Sequence, residues 1–364
     1  MSIFLVIATA IALQIFLTAR KLSPFLSLLV VAIPMGLLLG MSPAELLKTI
    51  DAGVGSTLGG LALVIVLGAI LGKVLEESGA AEKIAITLVG RFGERHIQWA
   101  LLLTGFLVGI PLYFNAGFII LVPLIFSLAR RTGLPTLYLA IPTGASLSTT
   151  HCFLPPHPGP VVLVNAFGAD MGLTLLYGIA MAVPAVVIAG PLVGRRLQSI
   201  NPPLPDPFTA SEAPRELPGG WSSFLVALSP VLLISASVLA DALLPEGVAR
   251  TALLFLGNPT VALLLATLVA FWWLGYRRGV GLEAQTRWLN AAIAGIAVIL
   301  LIITAGGVFK QVLVDSGPLL ALFNAADHWH APVAAWLQAH PDVALVSTWP
   351  VLTEVCALLA RRVH

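Results

Sequence analysis

The twelve residues Thr149–Pro160, TTHCFLPPHPGP, hold two histidines and four prolines. Proline removes a backbone donor and blocks helix continuation, whereas histidine changes charge near neutral pH. The stretch therefore breaks a helix where two titratable rings are kept. Its meaning depends on the surrounding solvent, and composition decides that. Hydrophobic residues make up 58% of the chain and charged residues 10%, with a mean hydropathy of +0.99. Soluble domains carry about 25% charged residues. This chain cannot cover itself with polar surface, so its solvent is lipid. At membrane depth, irregular backbone is tolerated only against protein or a water-filled cavity. The stretch thus predicts a re-entrant segment lining a cavity.

Working outward, apolar runs of spanning length lie near 2–19, 24–41, 57–75, 134–150, 172–193, 221–243, 251–275 and 290–309. The start, MSIFLVIATAIALQIFLTARK, has no basic leader before its apolar run and reads as a first span rather than a cleavable signal. The stretch 97–128 is too long for one span and is interrupted by IPLYFNAGF, which carries Pro111, Asn115 and Gly117. It reads as two short segments meeting at a polar break. Charge supports this. With hairpins near 109–118 and 146–165, every lysine and arginine from Arg20 to Arg287 except Lys48 and Arg250 falls on one side. By the positive-inside rule that side is cytoplasmic. The polar, proline-rich stretch 194–220 then reads as a cytoplasmic linker between a first repeat, 1–193, and a second beginning at 221–317.

An internal echo underlies that division. GAILGKVLEESG (68–79) aligns with GGVFKQVLVDSG (306–317), sharing Gly68/Gly306, Val74/Val312, Leu75/Leu313, Ser78/Ser316 and Gly79/Gly317. Chance in a biased composition is the bland explanation. The sharper one is an internal repeat, the plan of many secondary transporters, which place substrate where interrupted helices meet. The fold expected is an all-α polytopic membrane protein, an inverted-repeat secondary transporter with re-entrant or broken helices, its second repeat truncated.

The candidate site follows from the breaks. Around the second lie Ser146, Ser148, Thr149, Thr150 and His151; around the first lie Tyr113 and Asn115. Free N–H groups of broken helix ends near Ser146–His151 would cradle a carboxylate. The hydroxyls, with the Asn115 amide and Tyr113, would bind a polyol. His151 and His157 are the proton-coupling candidates, although two prolines between them prevent helical spacing from relating the rings. Asp170 reads as an N-cap of the next run. The glycines of AGVGSTLGG (52–60) serve either close helix packing or a cavity wall.

These residues resemble a known family, the gluconate permeases of the GntP type. The resemblance runs from about 1 to 317 and rests on GVGSTLGGLALVIVLGAILGKVLEESG (53–79), GIPLYFNAGFIILVPLIFSLARRTG (109–133), SLSTTHCFLPPHPGPV (146–161), GIAMAVPAVVIAGPLVGR (178–195) and AGGVFKQVLVDSG (305–317). It implies proton-coupled uptake of gluconate and related sugar acids across the bacterial inner membrane, with no cofactor beyond the coupling proton. In the family pattern the position of Asn115 usually carries an acid, so coupling here is altered or falls to His151. After Gly317 the resemblance stops. The tail 318–364 shifts in composition, as a changed reading frame would make it, with real divergence the alternative; with the second half of the site missing, the chain is expected to transport poorly or not at all. A non-transporting remnant or sensor that binds the sugar acid is the alternative.

Other classes find little support. The net charge of +2 and the absence of recognition motifs exclude nucleic acid as a partner. Cys152 and Cys356 make neither a disulfide framework nor a metal-ligand spacing. His328 and His330 lack a third ligand, so no metal site is expected. An intramembrane enzyme would need an H-E-x-x-H pair, an oriented serine–histidine dyad or paired aspartates, and none is present. Partners are therefore the sugar acid and the bilayer, with homo-oligomerisation left open.

Overall fold

A computed structural model describes residues 3–200 and 216–315, with the single position 335. The expectations for the middle of the 194–220 linker and for the 318–364 tail, including His328 and His330, lie outside the described residues. Within them the chain forms fourteen α-helices and no strand, the all-α membrane architecture expected.

Helices α1 (Ile3–Ala19) and α2 (Pro24–Leu38) are followed by α3 (Pro43–Glu77), 35 residues long. The apolar run alone predicted 57–75. The helix begins earlier because SPAE, Ser42–Glu45, is a capping box. Ser42 N–H donates to Glu45 Oε2 at 2.8 Å, and Glu45 N–H donates to Ser42 Oγ at 3.3 Å. Then come α4 (Ala80–Phe92), α5 (Ile97–Gly109), α6 (Phe114–Thr132), α7 (Thr136–Phe153), α8 (Pro158–Phe167) and α9 (Met171–Val187). A π-turn, Ile188–Leu192, joins α9 to α10 (Val193–Arg196). Asp170 caps α9 by accepting from Leu173 N–H at 2.7 Å, as its position suggested.

The second half contains α11 (Gly220–Leu243), α12 (Val248–Leu256), α13 (Pro259–Ala270) and α14 (Leu282–Asp315). The single span expected over 251–275 is corrected here: Gly257 and Asn258 divide it into α12 and α13. Helices of spanning length and apolarity are Pro43–Glu77, Phe114–Thr132, Met171–Arg196, Gly220–Leu243, Pro259–Arg278 and Leu282–Leu313. Within the described residues, 68–77 of the echo end α3 and 306–315 end α14.

The chain packs as two compact units. One contains residues up to Ala62, Asn165–Phe167 and α14 from Ala297 onward. Its core joins Val6, Val31, Met35, Leu46, Val308 and Val312. The glycine-rich stretch 52–60 serves close packing here. A β-carbon at Gly53 would stand 2.8 Å from Val308 Cα, and Gly60 lies under the Asn165 amide. Gly55 and Gly59 face open space.

The other unit contains Leu63–Val164 and Gly168–Ile296. Its core is α5 and α7 at very short range, with α4, α6, α9 and α11 around them. A β-carbon at Gly105 would stand 2.8 Å from the Thr143 carbonyl oxygen, so only glycine permits that approach. This crossing sets the ends of α5 and α7 beside each other.

Candidate functional site

Two chain breaks meet in the second unit. The first, residues 110–113, separates α5 from α6; the second, 154–157, separates α7 from α8. Both were expected from IPLYFNAGF and TTHCFLPPHPGP. Their backbone is housed by small residues on one face of α3. Gly72 receives the Pro111 carbonyl, and a β-carbon at Gly68 would stand 3.2 Å from Pro156 Cγ. Gly178 of α9 takes the Phe153 carbonyl, its β-carbon position lying 2.7 Å from that oxygen. The GAILGK motif had been noted only for its echo. Its glycines at i and i+4 are the sequence signal for this cradle.

At the second break, Pro155–Pro156 is a cis peptide bond and the chain doubles back. Helical spacing could not relate the two histidines, yet the structure puts His151 Nδ1 3.2 Å from His157 Nδ1. The rings meet edge-on, with centroids 4.7 Å apart. His157 is only 3% exposed, and its Nε2 lies 2.8 Å from the Gly109 carbonyl oxygen. Gly109 is the last residue of α5, where carbonyls lose their intrahelical donors. The second break thus caps the helix ending at the first. Gly109 was not among the residues singled out from sequence. Tyr113 completes the cluster, its ring 5.9 Å from that of His151 and 5.8 Å from that of His157.

The other expected site residues divide by position on α7. Ser146 is fully buried and its Oγ has no partner among the described residues. Thr150 is also fully buried, its hydroxyl donating to the Ser146 and Leu147 carbonyls at 3.0 Å. Both face α5, with Gly105 against Ser146 and Gly109 against Thr150. Both were expected as polyol ligands, and in the structure they lie on the face of α7 that packs against α5. Thr149 is buried at 8% exposure. Ser148 is exposed and His151 half-buried, while Gly144 has open space where a side chain would stand. Positions 144, 148 and 151 follow i, i+4, i+7, so they share one open stripe.

An anion cradle was expected near Ser146–His151, where the backbone is helical. Ser146–His151 lie inside α7, whose N–H groups are taken up by the helix through Leu154 N–H donating to the Thr150 carbonyl. The first turn of α6 is the end with unpaired donors. Tyr113 is its N-cap, with no side-chain cap bond, and the first helical bond runs from Gly117 N–H to the Tyr113 carbonyl at 3.0 Å. The N–H groups of Phe114, Asn115 and Ala116 therefore have no intrahelical acceptor. Asn115 is exposed there. The start of α8 offers less, because Pro158 and Pro160 have no N–H. Among the described residues, no group of three or more His, Cys, Asp or Glu is placed to hold a metal.

Residues 1–340 match the family described as GntP family permease, which carries the likeness past Gly317. The high-affinity gluconate transporter of Escherichia coli is 43% identical over 316 residues, covering 86% of this chain and 72% of that protein. The Gnt-II system L-idonate transporter of Escherichia coli is 42% identical over 319 residues, covering 86% and 72%. A gluconate permease of Bacillus subtilis is 39% identical over 331 residues, covering 87% and 74%. Among solved structures, the Alcanivorax borkumensis YdaH transporter superposes with a TM-score of 0.57 at 17% identity, covering 87% of this chain and 74% of that one. At that identity the likeness is one of fold.

Proposed function

The chain belongs to the GntP family of permeases, and from that premise we propose that it carries gluconate or a related small hydroxylated carboxylate, by proton symport, across the bacterial inner membrane. It is a multi-pass membrane protein of a transporter family rather than an enzyme. The observation that carries the proposal is the meeting of two helix breaks at Tyr113, His151 and His157. A break in lipid costs several kcal/mol for each unsatisfied backbone group, and here the cost is offset by the His157 ring at the Gly109 carbonyl, which in turn contacts His151. The substrate carboxylate docks on the unpaired N–H groups opening α6, where the helix dipole favours negative charge. Its hydroxyls bond the Asn115 amide and Ser148. His151 holds the coupling proton. Substrate and proton drive the same access change only if both bind one state better than the other.

The test is uptake of labelled gluconate by proteoliposomes containing this polypeptide alone. Accumulation that follows an imposed proton gradient and collapses with a protonophore is the expected result. Saturable gluconate binding with no uptake would replace transport by the binding-only alternative. The same measurement checks the expectation of poor transport attached to residues 318–364.

A further inference from the structure

The two histidines are not equivalent, and hydrogen-bond bookkeeping assigns each a tautomer. A carbonyl oxygen only accepts, so the 2.8 Å contact to Gly109 requires a proton on His157 Nε2. In the neutral ring His157 Nδ1 is then a lone pair. The 3.2 Å contact between the two Nδ1 atoms needs one hydrogen, and His151 must supply it. His151 is therefore the Nδ1–H tautomer, with its Nε2 bare. That nitrogen belongs to the half-buried ring on the open stripe, whereas both nitrogens of His157 are engaged in a site 3% exposed.

We propose that His157 is a positioning residue which locks the His151 tautomer, so that the pair accepts a single proton, at His151 Nε2, and that this proton turns the nitrogen from an acceptor into a donor for the substrate anion. The inference rests on the transport reading above and divides the labour within it. The added proton has no other place in the geometry. A proton added to His157 Nδ1 would face the His151 N–H, and the charge would be buried without a partner. A proton added to His151 Nε2 leaves both existing hydrogen bonds intact. His151 stands in the last turn of α7, the helix end at which positive charge is favoured.

The groups around the pair agree with this. From the start of α6 comes Tyr113 and from the end of α5 the Gly109 carbonyl. The charge of α3 nearest Gly72 is Lys73, which is paired with Glu76 and Glu77 at 3.2 and 2.9 Å. Among the described residues no carboxylate, lysine or arginine forms an ion pair with either ring. The proton and the anion thus share one atom, His151 Nε2.

The experiment uses the full chain in lipid, with histidine nitrogens labelled and assigned by loss of signal in His151→Gln and His157→Gln. Nitrogen NMR above neutral pH should show one Nδ1–H tautomer, lost in His151→Gln, and one Nε2–H tautomer, lost in His157→Gln. Gluconate binding is then followed against pH. Glutamine at 157 donates to Gly109 and accepts from His151 Nδ1–H without titrating, so that variant should keep the acid-side rise in gluconate affinity. His151→Gln should abolish the rise and weaken binding at acid pH roughly tenfold to a hundredfold, the range of a lost charge-assisted hydrogen bond. An Nε2–H tautomer for His151, or a His157→Gln variant that loses the pH dependence with its fold intact, would overturn the inference. Correct tautomers and retained pH-dependent binding without uptake would uphold it and sink the transport reading instead.

Discussion

Two breaks in the second unit end helices by opposite means. At residues 257–258, between α12 and α13, the capping is local. Asn258 accepts from Thr260 N–H at 3.1 Å, Pro259 fills the first helical position, and Gly257 tucks against Ser237. At residues 154–157 the repair comes from afar. His157 serves the carbonyl of Gly109, 48 residues earlier in the chain. A break capped by its own residues asks of the fold only close packing and is architecture. A break closed by a ring from another element draws a titratable group into a buried position, where it touches chemistry. The difference suggests which break to disturb, and what each disturbance should do.

The largest effect belongs to His157→Leu. Leucine fills similar space but leaves the Gly109 carbonyl buried and unpaired, at a cost of about 1–3 kcal/mol. It also frees His151 from its tautomer. The detergent-solubilised variant should melt several degrees lower than the wild type, and pH-dependent gluconate binding should be lost with it. His157→Gln should recover most of the melting temperature. If leucine and glutamine behave alike, the long-range cap does not stabilise the breaks and the contrast between them fails.

Asn115→Glu places a carboxylate in the first turn of α6 and tests that end of the same site. A carboxylate in the first turn lies among the N–H groups assigned to the substrate. Like charges repel, so gluconate binding at neutral pH should fall roughly tenfold, recovering as the medium is acidified and the new carboxyl is neutralised. Equilibrium binding measured across pH checks this. Unaltered affinity at every pH would remove the N-terminus of α6 from the anion site.

How much of this was legible beforehand differs between the same regions. The breaks at 110–113 and 154–157 announce themselves through prolines and polar residues in apolar surroundings. His151 was singled out for the same reason. The break at 257–258 was missed because Gly-Asn-Pro interrupts 251–275 too briefly to lower its hydropathy. The pairing of His151 with His157 was out of reach because it depends on how Pro155–Pro156 redirects the chain, and periodicity ends at the first proline. Ser146 and Thr150 looked like ligands by composition. Which face of α7 they occupy is decided by Gly105 and Gly109 on a different helix, and no window around residue 150 contains that information. The α3 capping box was readable in Ser-Pro-Ala-Glu, whereas the apolar count alone placed the helix start too late.

The smallest effect is the one that defines the comparison. Asn258→Ala removes a single N-cap and should cost about 1 kcal/mol of stability, a shift of a degree or a few in melting temperature. Pro259 still presets the first turn of α13, and Gly257 still packs against Ser237, so the break itself persists. Among the described residues no hydrogen bond or ring contact given for Tyr113, His151 or His157 involves this cap. Gluconate affinity and its pH dependence should therefore match the wild type within error, even when the variant is destabilised as expected. A change in the pH profile of Asn258→Ala would mean that the locally capped break also feeds the histidine pair. The distinction between architectural and chemical breaks would then have to be given up, since an element closed by its own residues would be shown to set the protonation of another.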